Sequence, residues 1–123
     1  MSDFAEFLTP DFSFSDERGC LFQLVHNGWK QVNVSQTKAG VKRGGHYHKQ
    51  TTEAFFIIEG KIRLTLSKDG RVEIITVKTG DFFRFSPFVS HSFDFLTDTT
   101  LVALYDKGVE LPDGTKDIFP EGK

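Results

Sequence analysis

The chain has 123 residues, a formal net charge of -2 and a pI near 6.1. This length suits one domain with a core, so we expect residues 1–123 to form a single domain. The acidic balance excludes nucleic acid as a main partner, because phosphate neutralisation needs a basic surface. No apolar run approaches the roughly 20 residues that span a bilayer, so we expect no membrane partner.

Short β-type runs follow one another along the chain, and no segment keeps a 3.6-residue apolar period. The runs predicted as strands are 20–25, 32–36, 54–58, 62–66, 72–77, 82–85, 92–96 and 101–105. Turn dipeptides separate them, and Asp69-Gly70 predicts a hairpin between two of them. Strands of this number and spacing predict an all-β sandwich, jelly roll or closed barrel.

The two ends, residues 1–15 and 108–123, carry Pro, Asp and Gly, and we expect them on the outside of the molecule. Their Phe4, Phe7 and Phe119 are candidates to pack across a subunit interface. Barrel edge strands also need cover, so we expect a homodimer. The lone Cys20 cannot form an internal disulfide and is interpreted as a small buried apolar residue in a reducing, cytoplasmic protein.

Three of the four histidines, with one glutamate, form a candidate metal site. His46 and His48 are two residues apart, so on a strand both imidazoles lie on one face and Tyr47 points the other way. Glu53 follows five residues later, and His91 lies after the run 82–85. This mixed nitrogen and oxygen set suits one divalent Zn, Mn, Fe, Co or Ni ion. His26 stands apart and is interpreted as an ordinary polar residue.

The spacing resembles that of the cupins. Residues 40–60 read Gly-x5-His-x-His-x4-Glu-x6-Gly, which is similar to the first cupin motif, and residues 80–95 resemble the second. The second motif departs from the family at three places, where Ser86 replaces proline, Phe88 replaces glycine and Phe95 replaces asparagine. The resemblance implies a small antiparallel β-barrel, a single cupin domain, with His46, His48, Glu53 and His91 as metal ligands. A cupin that has lost its metal stays possible.

A narrower resemblance comes from two segments, Asp16-Glu17-Arg18-Gly19 and Gly40-Val41-Lys42-Arg43-Gly44-Gly45-His46-Tyr47-His48. They resemble the cupins that epimerise or isomerise nucleotide-linked keto sugars, and the metal-binding cupin domains of capsular UDP-sugar reductases. The resemblance implies an isomerase or epimerase of polysaccharide or deoxysugar biosynthesis, with a nucleotide sugar as the small-molecule substrate. It also implies that Arg43 contacts that substrate.

The reaction removes a proton beside a carbonyl, which requires a general base and stabilisation of the resulting enediolate. In the similar epimerases the base corresponds to His46, but a coordinated imidazole nitrogen cannot accept that proton. We favour ligation by His46, which leaves hydroxide on the metal or another group as the base, with Tyr105 and Tyr47 as candidates.

The other candidate substrate contacts are positive side chains. Arg43 and Lys42 precede the histidine pair and are candidates to hold a diphosphate. Arg63 and Arg84 lie between apolar strand residues and either line the barrel mouth or face water.

Two other functions remain open at this point. Three histidines and a glutamate also serve an iron-dependent cupin dioxygenase acting on a small molecule. A non-catalytic cupin that binds a sugar nucleotide is the third alternative, because the fold alone does not define a reaction.

Overall fold

Alternating apolar residues and frequent glycine turns give a structure made of strands, described here for residues 2–120 by a computed structural model. The strands are β1 (Ala5–Phe7), β2 (Phe12–Asp16), β3 (Gly19–Gln23), β4 (Gln31–Thr37), β5 (Lys42–Tyr47), β6 (Glu53–Glu59), β7 (Lys61–Lys68), β8 (Arg71–Lys78), β9 (Phe82–Phe85), β10 (Ser90–Phe95), β11 (Thr99–Tyr105) and β12 (Phe119–Pro120). None of the described residues forms a helix.

Ten of the strands build two antiparallel sheets. The first sheet has the order β1-β9-β6-β11-β4 and the second has the order β12-β5-β10-β7-β8. The remaining strands, β2 and β3, pair only with each other and form a separate hairpin. This all-β, antiparallel jelly roll confirms the fold class predicted from the sequence.

All eight predicted runs form strands, with bounds that differ by about two residues or fewer. The pair His46 and Tyr47 lies on β5, as the argument from alternation required, and His48 follows directly. The prediction that both ends of the chain lie on the outside is incomplete, because each end also takes part in a sheet. β1 pairs with β9 and β12 pairs with β5, so each end adds an edge strand to one sheet. Residues 1 and 121–123 of those ends lie outside the described part.

The main core lies between the two sheets and is rich in phenylalanine. Phe55 on β6 has its ring centroid 5.0 Å from that of Phe93 on β10, and 5.6 Å from that of Phe83 on β9. Ile57, Leu64 and other buried side chains from both sheets complete the same cluster. Each fully buried side chain of this size contributes roughly 1.5–3 kcal/mol. The core therefore holds the sheets face to face and fixes the distance across which the functional site forms.

The β2–β3 hairpin stands apart from this core. Its strand residues are almost all exposed, although the Phe22 ring approaches Phe56 at 5.4 Å between centroids. Cys20 lies on β3 and is exposed, so its interpretation as a buried apolar residue is wrong. The reason is that the apolar run 20–25 belongs to the projecting hairpin instead of a barrel strand.

A bulge in β5 sets the direction of the first histidine. His91 pairs with His46, whereas the next residue, Ser92, pairs with Gly44, so Gly45 is an extra residue without a partner. Gly44 and Gly45 have φ values of +98° and +76°, a backbone conformation that residues other than glycine rarely adopt. A Cβ on Gly44 would lie 2.6 Å from the carbonyl oxygen of His91. Glycine at position 44 therefore allows β5 to approach β10 closely at the site.

We predict that Gly44→Ala lowers the free energy of unfolding by about 2 kcal/mol or more, because it adds a backbone clash to the strain of positive φ. Gly45→Ala is the matched control, since its Cβ would meet nothing closer than the Ser92 Oγ at 3.8 Å. We expect the control to lose only about 1 kcal/mol in chemical denaturation. Equal losses in the two variants would show that the close approach to His91 is unimportant.

Candidate functional site

Three imidazoles converge from neighbouring strands of the second sheet. His46 lies on β5 directly across from His91 on β10, with ring centroids 4.7 Å apart. His48 leaves the end of β5 on the same side, and its ring centroid lies 5.6 Å from that of His91. The spacing of two residues therefore places both β5 histidines beside the more distant His91.

A carboxylate from the opposite sheet completes the cluster. Glu53 begins β6, and its Oε1 lies 3.1 Å from Nε2 of His48 and 3.1 Å from Nε2 of His91. One donor atom from each of the four side chains lies within 4.8 Å of every other. His48, Glu53 and His91 are buried and His46 is half-buried. The cluster therefore joins the two sheets across the interior of the fold.

Backbone carbonyls orient two of the three rings. The Nδ1 of His48 contacts the carbonyl oxygen of Asp117, and the Nδ1 of His91 lies 3.2 Å from the carbonyl oxygen of Val89. A carbonyl only accepts, so both Nδ1 atoms carry the proton and donate it. This arrangement directs both Nε2 atoms to the centre of the cluster. Asp117 was missed in the sequence, since it lies 69 residues from His48 in a turn-rich segment.

The charges of the cluster are strongly coupled. Burial opposes ionisation of Glu53, but the hydrogen bond from His48 and the close His91 ring outweigh it and lower its pKa to about 2. Burial likewise lowers the pKa of His48, yet its contacts with Glu53 and with the Asp117 carbonyl leave that pKa above the ordinary value. Burial and the neighbouring His91 lower the pKa of His46 to about 4, so His46 is neutral at pH 7.

The donor set fits a divalent metal ion. The Nε2 of His91 is buried without a hydrogen-bond partner within the described residues, although it lies 3.1 Å from Oε1 of Glu53. Leaving a buried polar atom unpaired costs free energy, and coordination of this nitrogen to a metal ion would remove that cost. Three imidazoles and one carboxylate match the preferences of Zn, Mn, Fe, Co and Ni. His46, His48, Glu53 and His91 are thus the residues that would hold the ion.

The cluster borders a cavity of about 420 Å³ between the sheets, which His46 and Glu53 help to line. Apolar side chains form most of its wall, namely Phe55, Phe93, Phe95, Leu101, Ala103 and Ile118. Polar groups from His46, Glu53, Asn33, Ser35 and Tyr105 also face it. An apolar cleft with a few convergent polar groups is typical of a small-molecule site. Asn33 and Ser35 were not singled out in the sequence, because only the pairing of β4 with β11 brings them here.

The positive candidates separate into two groups. Arg43 lines the cavity, whereas Lys42 points elsewhere and forms an ion pair with Asp94 at 3.7 Å. Arg63 is an exposed residue between the buried Ile62 and Leu64, so it faces away from the interior. Arg84 is bound to Glu6 at 2.7 Å on the outer side of β9. Of the two options open for Arg63 and Arg84, the structure favours the outward one.

The two tyrosines also differ in placement. The Tyr47 ring packs against Phe88 and Phe119, with centroids 6.2 Å and 5.6 Å away, and points away from the cavity. Tyr105 lines the cavity, and its hydroxyl interacts with Glu53 and Asn33. Burial, together with the Glu53 carboxylate, raises the pKa of Tyr105 far above its usual value. Tyr105 is therefore neutral at neutral pH, and its hydroxyl is a hydrogen-bond donor.

His26 lies outside the cluster. Its ring contacts Asp11 and Gln23 at the surface, in agreement with its interpretation as an ordinary polar residue. Among the described residues, no helix is long and apolar enough to cross a membrane.

Comparison with solved structures shows the same fold in sugar-modifying enzymes. A sugar 3,4-ketoisomerase from Thermoanaerobacterium thermosaccharolyticum, solved in complex with TDP, has a TM-score of 0.81 at 16% identity, covering 99% of this chain and 91% of that chain. A 3'-monoepimerase from Streptomyces bikiniensis, solved with dTDP-quinovose, has a TM-score of 0.74 at 22% identity over 92% and 69% of the two chains. The RmlC epimerase of Mycobacterium tuberculosis has a TM-score of 0.69 at 20% identity over 85% and 64%. The chain therefore has the RmlC-like cupin fold.

No curated protein matches the sequence. A family model does match it, over residues 14–105, which is well over half of the 123 residues. That range contains the four clustered side chains and the strands that form the cavity. The chain belongs to the family described as the polysaccharide biosynthesis C-terminal domain.

Proposed function

We propose that this cupin binds one divalent metal ion and acts as an isomerase or epimerase on a nucleotide-linked keto sugar. The observation that carries the proposal is the cluster of His46, His48, Glu53 and His91, of which His46 and Glu53 line an apolar cavity. A divalent ion bound there would supply a Lewis acid for the sugar carbonyl oxygen. The sugar-nucleotide enzymes with the same fold, and the polysaccharide biosynthesis family, support this substrate class.

The cavity walls suit a deoxysugar ring. Phe55, Phe93 and Leu101 present apolar surface that packs against the ring and excludes water from the reacting carbons. Asn33 and Ser35 on β4 provide donors and acceptors for hydroxyl groups of the sugar. A few polar groups in an apolar cavity orient a ligand without holding it by charge alone.

Arg43 is the proposed contact for the diphosphate. Its guanidinium pairs well with phosphate oxygens, and it belongs to the lining of the cavity. Lys42 is a weaker candidate because it already pairs with Asp94. The sugar would then extend from Arg43 towards the four clustered side chains.

Tyr105 is proposed to lie beside the reacting carbons as a neutral hydroxyl that donates a hydrogen bond, while a different group is the base that takes the proton beside the carbonyl. Its raised pKa keeps the hydroxyl protonated, and its interaction with Glu53 orients it within the cavity. Tyr47 faces the opposite side of β5 and is not part of this proposal. The neutral, half-buried His46 is assigned as a metal ligand. The exchange experiment below distinguishes this role from that of a general base.

Incubation with a nucleotide 4-keto-6-deoxysugar in deuterated water tests the reaction. We expect deuterium to enter beside the carbonyl with wild-type protein, and His48→Ala to slow that exchange about 100-fold or more by removing a metal ligand. His26→Ala is the matched control and should exchange normally, since His26 lies at the surface. Mass spectrometry of the recovered sugar measures the result.

Three outcomes would count against the proposal. Exchange that survives His48→Ala but not His46→Ala would make His46 a base that works without metal. Oxygen uptake by iron-loaded protein, with no exchange for several sugars, would favour the dioxygenase alternative. Tight binding of a sugar nucleotide without exchange would favour a non-catalytic binder.

A cytoplasmic homodimer is part of the same proposal. The outer face of the first sheet carries an apolar row across four strands, from Phe82 through Phe56 and Val102 to Val34. The chain's own side chains already bury Phe82 and Phe56, so the exposed end of the row lies on β4. Val34 lies on the edge strand β4 and is 67% exposed. The β2–β3 hairpin adds exposed Phe12 and Phe14, and a two-stranded hairpin alone is only marginally stable. A second copy of the chain would cover both features.

We predict that Val34→Lys converts a dimer into a monomer, because it places a charge in the apolar row. Val72→Lys is the matched control, since Val72 is also 67% exposed but lies on β8 at the edge of the other sheet. Sedimentation equilibrium of the three proteins measures the change. A monomeric wild-type protein, or dissociation by Val72→Lys alone, would exclude this interface.

A further inference from the structure

The chain continues past the last barrel strand into a segment, residues 106–120, that we call the strap. The strap lies beyond the residues matched by the family model. It contacts the turn between β5 and β6, which separates His48 from Glu53. Its last residues form β12, which pairs with β5 at Tyr47 and His46.

The strap binds the backbone of that turn at every residue. The Asp117 carboxylate accepts hydrogen bonds from the backbone N–H of Lys49, Gln50 and Thr51, at 2.8, 2.9 and 2.8 Å. The Asp106 carboxylate accepts from the backbone N–H of Thr52 at 2.9 Å. All four consecutive N–H groups between the two proposed ligands are therefore held by carboxylates of the strap.

Asp117 carries a charged side chain at a buried position. Its side chain is 1% exposed, and no ion pair of the described residues includes it. Burying a carboxylate is costly unless hydrogen bonds compensate, and here the three backbone donors do so. An uncharged polar residue would cost less free energy to bury. The presence of a carboxylate here therefore points to a role in positioning the turn.

The same residue also contacts a proposed ligand directly. The backbone carbonyl of Asp117 accepts the Nδ1–H of His48 and so directs Nε2 to the cluster. Two further contacts fix the strap itself, from the Asp117 N–H to the Val109 carbonyl at 2.7 Å and from the Thr51 hydroxyl to the Gly108 carbonyl at 3.0 Å. The carboxylate and the carbonyl of one residue thus hold both the turn and the ring.

We propose that Asp117 is the positioning residue of the metal site, and that the strap sets the geometry of His48 and Glu53 for the ion. The inference rests on the proposed metal binding and deepens it, since it assigns the site's orientation to a segment outside the family match. Outer-shell partners of this kind typically change metal affinity by about 10–100-fold.

The test compares Zn²⁺ and Co²⁺ binding by purified wild type, Asp117→Asn and Asp117→Ala. Asp117→Asn keeps the shape but turns one acceptor into a donor, so we expect an intermediate loss of affinity. Asp117→Ala removes both side-chain acceptors that hold the turn and keeps only the backbone carbonyl, and we expect the loss to reach about 10–100-fold. Asp113→Ala is the matched control, because Asp113 is an exposed aspartate of the same strap that caps only Thr115. The control should bind as wild type does.

Two readouts separate positioning from mere folding. The Co²⁺ absorption spectrum reports ligand geometry, and nitrogen NMR of His48 reports which ring nitrogen carries the proton in the metal-free protein. We expect both to change in Asp117→Asn, because the weakened contacts with the turn shift the backbone carbonyl of residue 117 relative to His48. Circular dichroism should show the fold retained. If Asp117→Ala does not fold, the asparagine variant still decides the question.

The positioning role alone would be overturned if the folded Asp117 variants bound metal as tightly as wild type and had unchanged spectra. Wild-type protein that binds neither ion would overturn the metal site and the positioning role together. A loss in Asp113→Ala as large as that in Asp117→Ala would also overturn the role, since it would show a general effect of disturbing the strap.

Discussion

The buried carboxylate of Glu53 is the constraint on which the rest of the structure depends. It starts a central strand of one sheet and lies 3.1 Å from two imidazoles that belong to the other. A charge in this position is tolerated only because those rings surround it. The phenylalanine core brings the sheets to that distance, the glycine bulge in β5 lets His46 and His91 meet, and the strap holds the turn before Glu53. Each feature serves to place four donor atoms together.

The three histidines are not equivalent within this arrangement. His48 and His91 are buried, and each has its Nδ1 fixed by a carbonyl oxygen. His46 is half-buried, faces the cavity and has a pKa of about 4. It is therefore the least anchored of the three histidines, and unlike the other two it lines the cavity.

The barrel strands and the four clustered side chains were predictable because both leave a local pattern. Alternating apolar residues mark β7 and β10, and a continuous apolar run marks β6. The spacing of His46, His48 and Glu53 survives in the sequence as a motif. The strap and the edge strands were not predictable. β1 and β12 have only a few residues each and gain their form from the strands they join. Asp117 resembles any turn aspartate until the fold places it beside His48.

The outward positions of Arg63 and Arg84 follow from the same limit. Alternation places each on the face opposite to buried neighbours, but only the paired sheets show which face borders the cavity. Asn33 and Ser35 illustrate the converse, since they gain importance from the neighbouring strand β11 alone. Residue type predicts chemistry here, whereas the sheet register determines which residues can share it.

Elemental analysis of untagged protein, purified without a metal column, tests the central claim most directly. The account predicts about one divalent ion per folded chain, retained through dialysis and lost when His48→Ala and Glu53→Gln are combined. Metal that persists in that double variant, or a folded wild-type chain that retains none, would contradict it.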